Sequence, residues 1–176
     1  NYANLWESVA AATPDNPALI HGARTILWRD FDARANALAR RFLDAGLTHQ
    51  SKVAAYLYNG PEYLETYFAA FKAGLVPFNT NYRYGGDELV YLFENADAEA
   101  VVFHASFAQT VDKVRGRLPK VKLWLAVAED GAPVPPWAED YESVVASGAG
   151  HVEAPLGRSS DDLVFMYTGG TTVMPK

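Results

Sequence analysis

Residues 52–78, KVAAYLYNGPEYLETYFAAFKAGLVPF, place a short apolar run, a helical segment and a second apolar run in direct succession. The run at 52–57 is typical of a buried strand, and residues 59–62 supply a capping asparagine, an early proline and an acid for a first helical turn. We expect this helix to continue to about Ala73 and to end at Gly74, before the apolar run at 75–78. The stretch therefore predicts a strand, a helix and a second strand.

The same alternation continues on both sides of this stretch. Apolar residues at the spacing of one helix face predict a helix at 31–43, with Gly46 as a left-handed cap. The later predicted elements are a helix at 87–94, a strand at 100–103, a weaker helix at 107–118 and a strand at 121–127. Because parallel strands need crossover connections, the pattern predicts a doubly wound α/β fold, with a mainly parallel sheet and helices on both faces.

The last third of the chain is less regular. Three prolines within 129–136 predict a surface loop, which is followed by a short helix at 137–146 and a glycine-rich connector at 147–157. Residues 161–167 form a strand-like apolar run. Its adjacent acids, Asp161 and Asp162, point to opposite faces of a strand, so we assign them capping or solvated roles.

Composition narrows the classes of function. With 176 residues, 49% hydrophobic and 20% charged, the chain fits one globular domain or one lobe of a larger protein. A net charge of -6 gives no electrostatic reason to bind nucleic acid. The absence of cysteine excludes disulfides and favours a cytoplasmic location. We expect no transmembrane segment and no secretory signal, while peripheral membrane contact stays open.

Two groups of side chains admit both a functional and a structural interpretation. The aromatic residues of 58–71 suit either a hydrophobic acyl tunnel or the core, and their helical spacing favours the core. They are Tyr58, Tyr63, Tyr67, Phe68 and Phe71. The arginines of the 31–43 helix are expected on a solvated outer face; they are Arg34, Arg40 and Arg41. The histidines show no metal-ligand spacing, so we assign no metal site.

The chemistry concentrates at residues 167–176, YTGGTTVMPK. Backbone N–H groups of a glycine-rich turn can converge on an anion, threonine hydroxyls add donors, and a lysine adds a mobile charge. Such a segment suits a polyphosphate. It has neither the Gly-Lys-Ser/Thr ending of a Walker A loop nor the spacing of a dinucleotide-binding turn.

This segment resembles the phosphate-binding signature of the adenylate-forming acyl-CoA synthetase superfamily, Tyr-Thr-Ser-Gly-Thr-Thr-Gly-x-Pro-Lys. Gly169 stands where that signature has serine, and Val173 stands where it has glycine. Residues 27–36 resemble an early helix start of the same family. Residues 71–83, FKAGLVPFNTNYR, resemble the Lys-Ala-Gly and Pro-x-Asn segment of its acyl-CoA synthetases.

The resemblance implies a two-step ligase that joins a carboxylic acid to AMP, releases pyrophosphate and passes the acyl group to coenzyme A. The implied small-molecule partners are a hydrophobic acid, ATP with Mg²⁺, and coenzyme A. By position in the signature, the residues implied at the ATP phosphates are Thr168, Gly169, Gly170, Thr171, Thr172, Val173 and Lys176. Val173 is the more serious departure, because a β-branched residue is strained wherever a glycine has positive φ.

The resemblance also implies that residues 1–176 are the N-terminal subdomain of an AMP-binding domain. Members of the family are roughly three times as long, with several domains of ~100–200 residues. The adenine and ribose motifs, most of the acyl pocket and the C-terminal catalytic lysine are then not in this sequence, and we assign no catalytic residue within it. We expect the chain alone to be inactive. The alternative is a truncated, noncatalytic nucleotide-responsive or protein-interaction module, whose exposed surface would favour a homo-oligomer.

Overall fold

The computed structural model describes residues 1–129 and 131–167. Its helices are α1 (Tyr2–Ala12), α2 (Trp28–Asp44), α3 (Pro61–Ala73), α4 (Gly86–Asn95), α5 (Ala108–Arg115) and α6 (Tyr141–Val145). Its strands are β1 (Pro17–His21), β2 (Arg24–Leu27), β3 (Lys52–Tyr56), β4 (Val76–Asn79), β5 (Ala98–His104), β6 (Leu123–Val127) and β7 (Glu139–Asp140). Residues 168–176, predicted to bind phosphate, lie outside the described part of the chain.

Strands β3 to β7 form one sheet in the order β4-β3-β5-β6-β7, and each neighbouring pair is parallel. Alternate residues of β3 enter different cores. Val53 and Ala55 join the cluster that contains α2 and α3, whereas Ala54 and Tyr56 join the cluster that contains α4 and α5. This two-sided burial confirms the predicted doubly wound α/β fold with helices on both faces.

The helix ends in the structure agree with the predicted ones to within a few residues. Gly46 and Gly74 both have positive φ, at 80° and 70°, as expected of glycines that follow helices. The capping residue of α3 is Gly60, not Asn59, and it makes no side-chain cap. The weaker helix predicted at 107–118 is shorter, because a 3₁₀ turn at Ala105–Phe107 precedes α5.

Two predicted elements near the end of the chain are wrong. The helix predicted at 137–146 begins only at Tyr141, because Glu139 and Asp140 pair with β6 as an edge strand. The strand predicted at 161–167 is a single bridge between Phe165 and Phe78. The Phe165 N–H donates to the Pro77 carbonyl at 3.1 Å, but Pro77 has no N–H with which to extend the pairing.

A helical layer covers the first face of the sheet. α1, which was not predicted, packs through Trp6 against Phe31 and Phe68, with ring centroids 5.8 and 5.1 Å apart. Phe68 and Phe71 are buried here, which confirms the core interpretation for both. The core position predicted for Tyr58 is wrong, because this residue is exposed, while Tyr63 and Tyr67 are half-buried. Among the described residues, no helix has the length and apolarity needed to cross a membrane.

The solvated position predicted for Arg34 is wrong. Its guanidinium bonds Glu65, whose side chain is fully buried, and Glu142, at 2.8 and 2.7 Å. The Tyr141 hydroxyl donates to the same Glu65 carboxylate at 2.7 Å. Burial lowers the pKa of Arg34, but the hydrogen bonds to Glu142 and Glu65 outweigh burial, and the pKa is raised overall. This cluster ties α2 to α3 and α6.

Candidate functional site

The carboxyl ends of β3, β4 and β5 meet at one edge of the sheet, where ligands of open α/β sheets bind. A cavity of about 280 Å³ opens at this edge. Its lining residues end or follow β3 and β4, or approach from the end of the described chain: Leu57, Asn59, Asn79, Thr80, Asn81, Tyr82, Tyr84 and Tyr167. We call this space the edge cavity.

Most side chains that line the edge cavity are polar, and none of them is Asp, Glu, Lys, Arg or His. Its described residues offer carboxamides and hydroxyls, which donate hydrogen bonds, and include no carboxylate that would repel an anion. Thr80 is fully buried, and its hydroxyl has no hydrogen-bond partner among the described residues. A buried hydroxyl without a partner is unfavourable, so a ligand or a water that reached this group would gain a hydrogen bond.

The turn after β4 is held in place from both sides. The Tyr56 hydroxyl donates to the Tyr84 carbonyl at 2.6 Å, and the Tyr84 N–H donates to the Asn81 carbonyl at 2.9 Å. The Asn81 side chain also accepts from the Arg83 N–H at 3.0 Å. Burial raises the pKa of Tyr56 to about 12, so this hydroxyl remains protonated and continues to donate.

Tyr167 brings the end of the described chain to the same place. Its hydroxyl donates to Asn95 at 2.7 Å, and its ring lies 6.0 Å from that of Phe78. The predicted phosphate residues follow Tyr167 in the sequence but lie outside the described residues: Thr168, Gly169, Gly170, Thr171, Thr172, Val173 and Lys176. Their role in binding phosphate stays a prediction.

An aromatic cluster continues the edge beyond the cavity. Tyr58 lies 5.2 Å from Tyr82 and 5.2 Å from His104, measured between ring centroids. The His104 Nδ1 accepts from the Tyr58 N–H at 3.0 Å, and burial lowers the pKa of this imidazole. His104 is therefore neutral near pH 7 and holds the backbone after β3. The described residues contain no cluster of three or more potential metal-binding side chains.

Comparison with known proteins assigns this chain to a family. Residues 6–176 match the AMP-binding enzyme family. The chain belongs to that family. It is 36% identical over 184 residues to the medium-chain acyl-CoA ligase Mig of Mycobacterium avium, covering 97% of this chain and 33% of that protein. It is 34% identical over 179 residues to the 3-oxocholest-4-en-26-oate–CoA ligase of Rhodococcus rhodochrous, covering 100% of this chain and 32% of that protein.

A solved structure shows the same fold. Acetoacetyl-CoA synthetase from Streptomyces lividans superposes with a TM-score of 0.88 at 23% identity, covering 99% of this chain and 29% of that one. The chain thus spans about a third of the length of the curated relatives it matches.

Apart from Tyr167, which begins the signature, the residues that line the edge cavity of this AMP-binding chain have no functional role predicted from the sequence. The sequence predicts Asn59 only as a helix cap, and Thr80 lies within residues 71–83 without a role of its own. Asn81 and Tyr82 lie within the stretch that resembles acyl-CoA synthetases, but the resemblance gave them no role. The available signal was topological, because each of these residues follows directly after a predicted parallel strand.

Proposed function

We propose that this chain is the N-terminal subdomain of an acyl-CoA ligase, which activates a hydrophobic carboxylic acid with ATP and transfers the acyl group to coenzyme A. The observation that carries the proposal is the edge cavity, whose uncharged donors lie beside Tyr167. The names of the relatives, a medium-chain acyl-CoA ligase and a steroid-acid CoA ligase, support a hydrophobic acid as the substrate.

The residues present fit the phosphate end of ATP. Binding of a polyanion requires donors without competing carboxylates, and the described lining has this property. The unpartnered Thr80 hydroxyl adds a donor that no protein group uses among the described residues. The volume of about 280 Å³ lies just below the ~300–1,000 Å³ typical of small-molecule sites. The described residues thus supply part of a site, in keeping with a chain that spans a third of its relatives.

The predicted signature residues complete this proposal. Thr168, Gly169, Gly170, Thr171 and Thr172 would surround the phosphates with N–H and hydroxyl donors, and Lys176 would supply a cation. Mg²⁺ would be held chiefly by the phosphates, since the described residues offer no cluster of three or more potential ligands. Val173 would weaken the grip on the phosphates by disfavouring positive φ.

Calorimetric titration of the 176-residue chain with Mg-ATP tests the site. Loss of one charge-assisted contact costs about 1.5–3 kcal/mol, so Lys176→Gln should weaken binding by roughly 10- to 150-fold. Lys113→Gln, which removes an exposed lysine of α5, should leave the affinity unchanged. Val173→Gly should tighten binding. Equal affinities for the two lysine variants would contradict the phosphate assignment.

Exchange of pyrophosphate into ATP tests whether residues 1–176 can complete adenylation alone. Because the chain spans a third of its relatives, we expect it to bind nucleotide without completing adenylation, and the exchange rate should stay at background. Exchange at a rate near that of a relative would show that these residues suffice.

Three properties of the whole protein complete the proposal. We propose a cytoplasmic location, with at most peripheral membrane contact. Exposed apolar side chains, among them Ile20 and Met166 at 73% and 80% exposure, favour self-association of the chain. Light scattering over a range of concentrations tests this, and a monomer at every concentration would argue against a homo-oligomer.

A further inference from the structure

The Lys-Ala-Gly segment, residues 72–74, lies away from the edge cavity. α3 leaves the carboxyl end of β3 and returns the chain to the amino end of β4, so its last turn lies at the opposite edge of the sheet. Lys72 and Gly74 therefore need another explanation than contact with the proposed ligand, and their surroundings provide one.

Lys72 is a fully buried cation. Its Nζ donates to Glu7 of α1 at 2.6 Å and to Asp32 of α2 at 2.8 Å, and lies 4.3 Å from the centroid of the Phe68 ring. Burial raises the pKa of Glu7, but hydrogen bonds from Arg158 and Lys72 outweigh burial, and the pKa is lowered overall. Glu7 is therefore an anion shared by two cations.

Arg158 is the second of these cations, and its side chain is only 9% exposed. Its guanidinium binds both oxygens of Glu7 and the side chain of Asn4. It also donates to the Lys72 carbonyl at 3.1 Å and to the Val152 carbonyl at 2.9 Å. The planar fork of arginine suits this set of acceptors, whereas a lysine could reach only part of it.

Gly74 leaves room for the same segment. A Cβ at this position would lie 3.3 Å from the Cβ of Ala154 and 3.5 Å from the carbonyl oxygen of Gly157. The end of the connector at 147–157, directly before Arg158, thus packs on the corner made by residues 72–74. Lys72 and Gly74 therefore both border this part of the chain. The Lys72 carbonyl accepts a hydrogen bond from Arg158, and Gly74 has no Cβ to obstruct Ala154.

From this corner the chain runs to the edge cavity. Near the end of this segment, the Phe165 N–H donates to the Pro77 carbonyl at 3.1 Å. Two residues later, Tyr167 lines the edge cavity. We propose that Arg158 is a positioning residue for the proposed phosphate site. Docked on Glu7 and on the Lys72 carbonyl, it fixes the start of residues 159–167 and thereby holds Tyr167 at the edge cavity. The inference rests on the proposed function for the ligand that this segment serves.

Hydrogen exchange of the 176-residue chain tests the inference without any ligand. In Arg158→Gln, the hydrogen-bonded amides of 159–167, above all the Phe165 N–H, should exchange at least about tenfold faster, while peptides from β3 and β5 change less than about twofold. Arg117→Gln is the matched control, because it removes the same charge from a pair whose side chains are 55% and 87% exposed. This control should leave 159–167 unchanged.

A second readout connects the position of the segment to binding. Mg-ATP affinity should fall in Arg158→Gln, recover in part in Arg158→Lys and stay unchanged in Arg117→Gln. A purely structural role would not give this graded recovery of Mg-ATP affinity while the hydrogen-exchange rates of β3 and β5 stay unchanged. If Arg158→Gln prevents folding, Arg158→Lys decides alone, since it keeps a cation beside Glu7 but loses the fork.

Two results would overturn the inference: unchanged exchange of 159–167, or an acceleration that β3 and β5 share equally. Failure of the unaltered chain to bind Mg-ATP would instead overturn the proposed function. The exchange experiment would still decide whether Arg158 holds the segment, so the two failures are distinguishable.

Discussion

Replacing Arg34 by glutamine should be among the more damaging single changes on α2. Arg34 bonds the fully buried Glu65 through two of its nitrogens, at 2.8 and 3.2 Å, and its own side chain is 16% exposed. The substitution leaves the Glu65 carboxylate buried, with the Tyr141 hydroxyl as its remaining donor among the described residues. An uncompensated buried charge is the result.

The size of the loss follows from these contacts. Removing one partner of a buried ion pair costs about 3–5 kcal/mol. The other acid, Glu142, is 59% exposed, so its contact with Arg34 adds little, and we expect the lower end, about 3 kcal/mol. For a chain of this size, such a loss lowers the melting temperature by roughly 6–12 °C.

Urea denaturation followed by tryptophan fluorescence and far-UV circular dichroism measures this loss. Arg40→Gln is the control, because Arg40 is exposed on the same helix and its removal should change stability by less than about 0.5 kcal/mol. The double variant Arg34→Gln/Glu65→Gln should recover at least about 1 kcal/mol relative to the sum of the single losses, since it leaves no buried charge. Equal losses at positions 34 and 40, or strict additivity in the double variant, would refute the reasoning.

Two further predictions concern the carboxyl edge of the sheet. Thr80→Val removes a buried hydroxyl without a described partner, so the free energy of unfolding in urea should stay unchanged or rise by up to about 1 kcal/mol. The same variant should bind Mg-ATP more weakly. A clear loss of stability would show that the hydroxyl already has a hydrogen-bond partner. Burial lowers the pKa of His104 below its ordinary value of 6.5, so the neutral form stabilises the fold above that pH and this contribution is lost as the pH falls. His104→Gln should flatten the decline of stability below pH 6.5, and an unchanged pH profile of the denaturation midpoint would contradict this.

The parts of the fold that could be predicted are those encoded by neighbours in the sequence. The apolar run of β3 and the helical spacing of α2 are local patterns, and Gly74 ends α3 because its conformation is one that glycine adopts readily. The parallel sheet then follows from the lengths of the crossovers. The family resemblance correctly indicated an AMP-binding enzyme, because its signatures are also local.

The parts that could not be predicted depend on partners that are remote in sequence. Glu139 and Asp140 join the sheet because β6 offers an unpaired edge, which no local propensity reveals. Arg34 meets Glu142 across 108 positions of the chain. The edge cavity is likewise assembled from separate segments. That Thr80 and Tyr167 line the same cavity follows from the fold and not from their positions in the sequence.

The two anchors of residues 159–167 bear on the unusual residue in the proposed phosphate signature. Arg158 fixes one end of this segment, and the bonds of Phe165 to Pro77 and of Tyr167 to Asn95 fix the other. A segment held at both ends cannot slide to accommodate strain further along the chain. If the proposed site needs positive φ at position 173, the cost of a valine there, about 1–3 kcal/mol, must be met within the signature itself. Val173 should therefore weaken the grip on phosphate directly, while the anchoring of Tyr167 at the edge cavity stays unchanged.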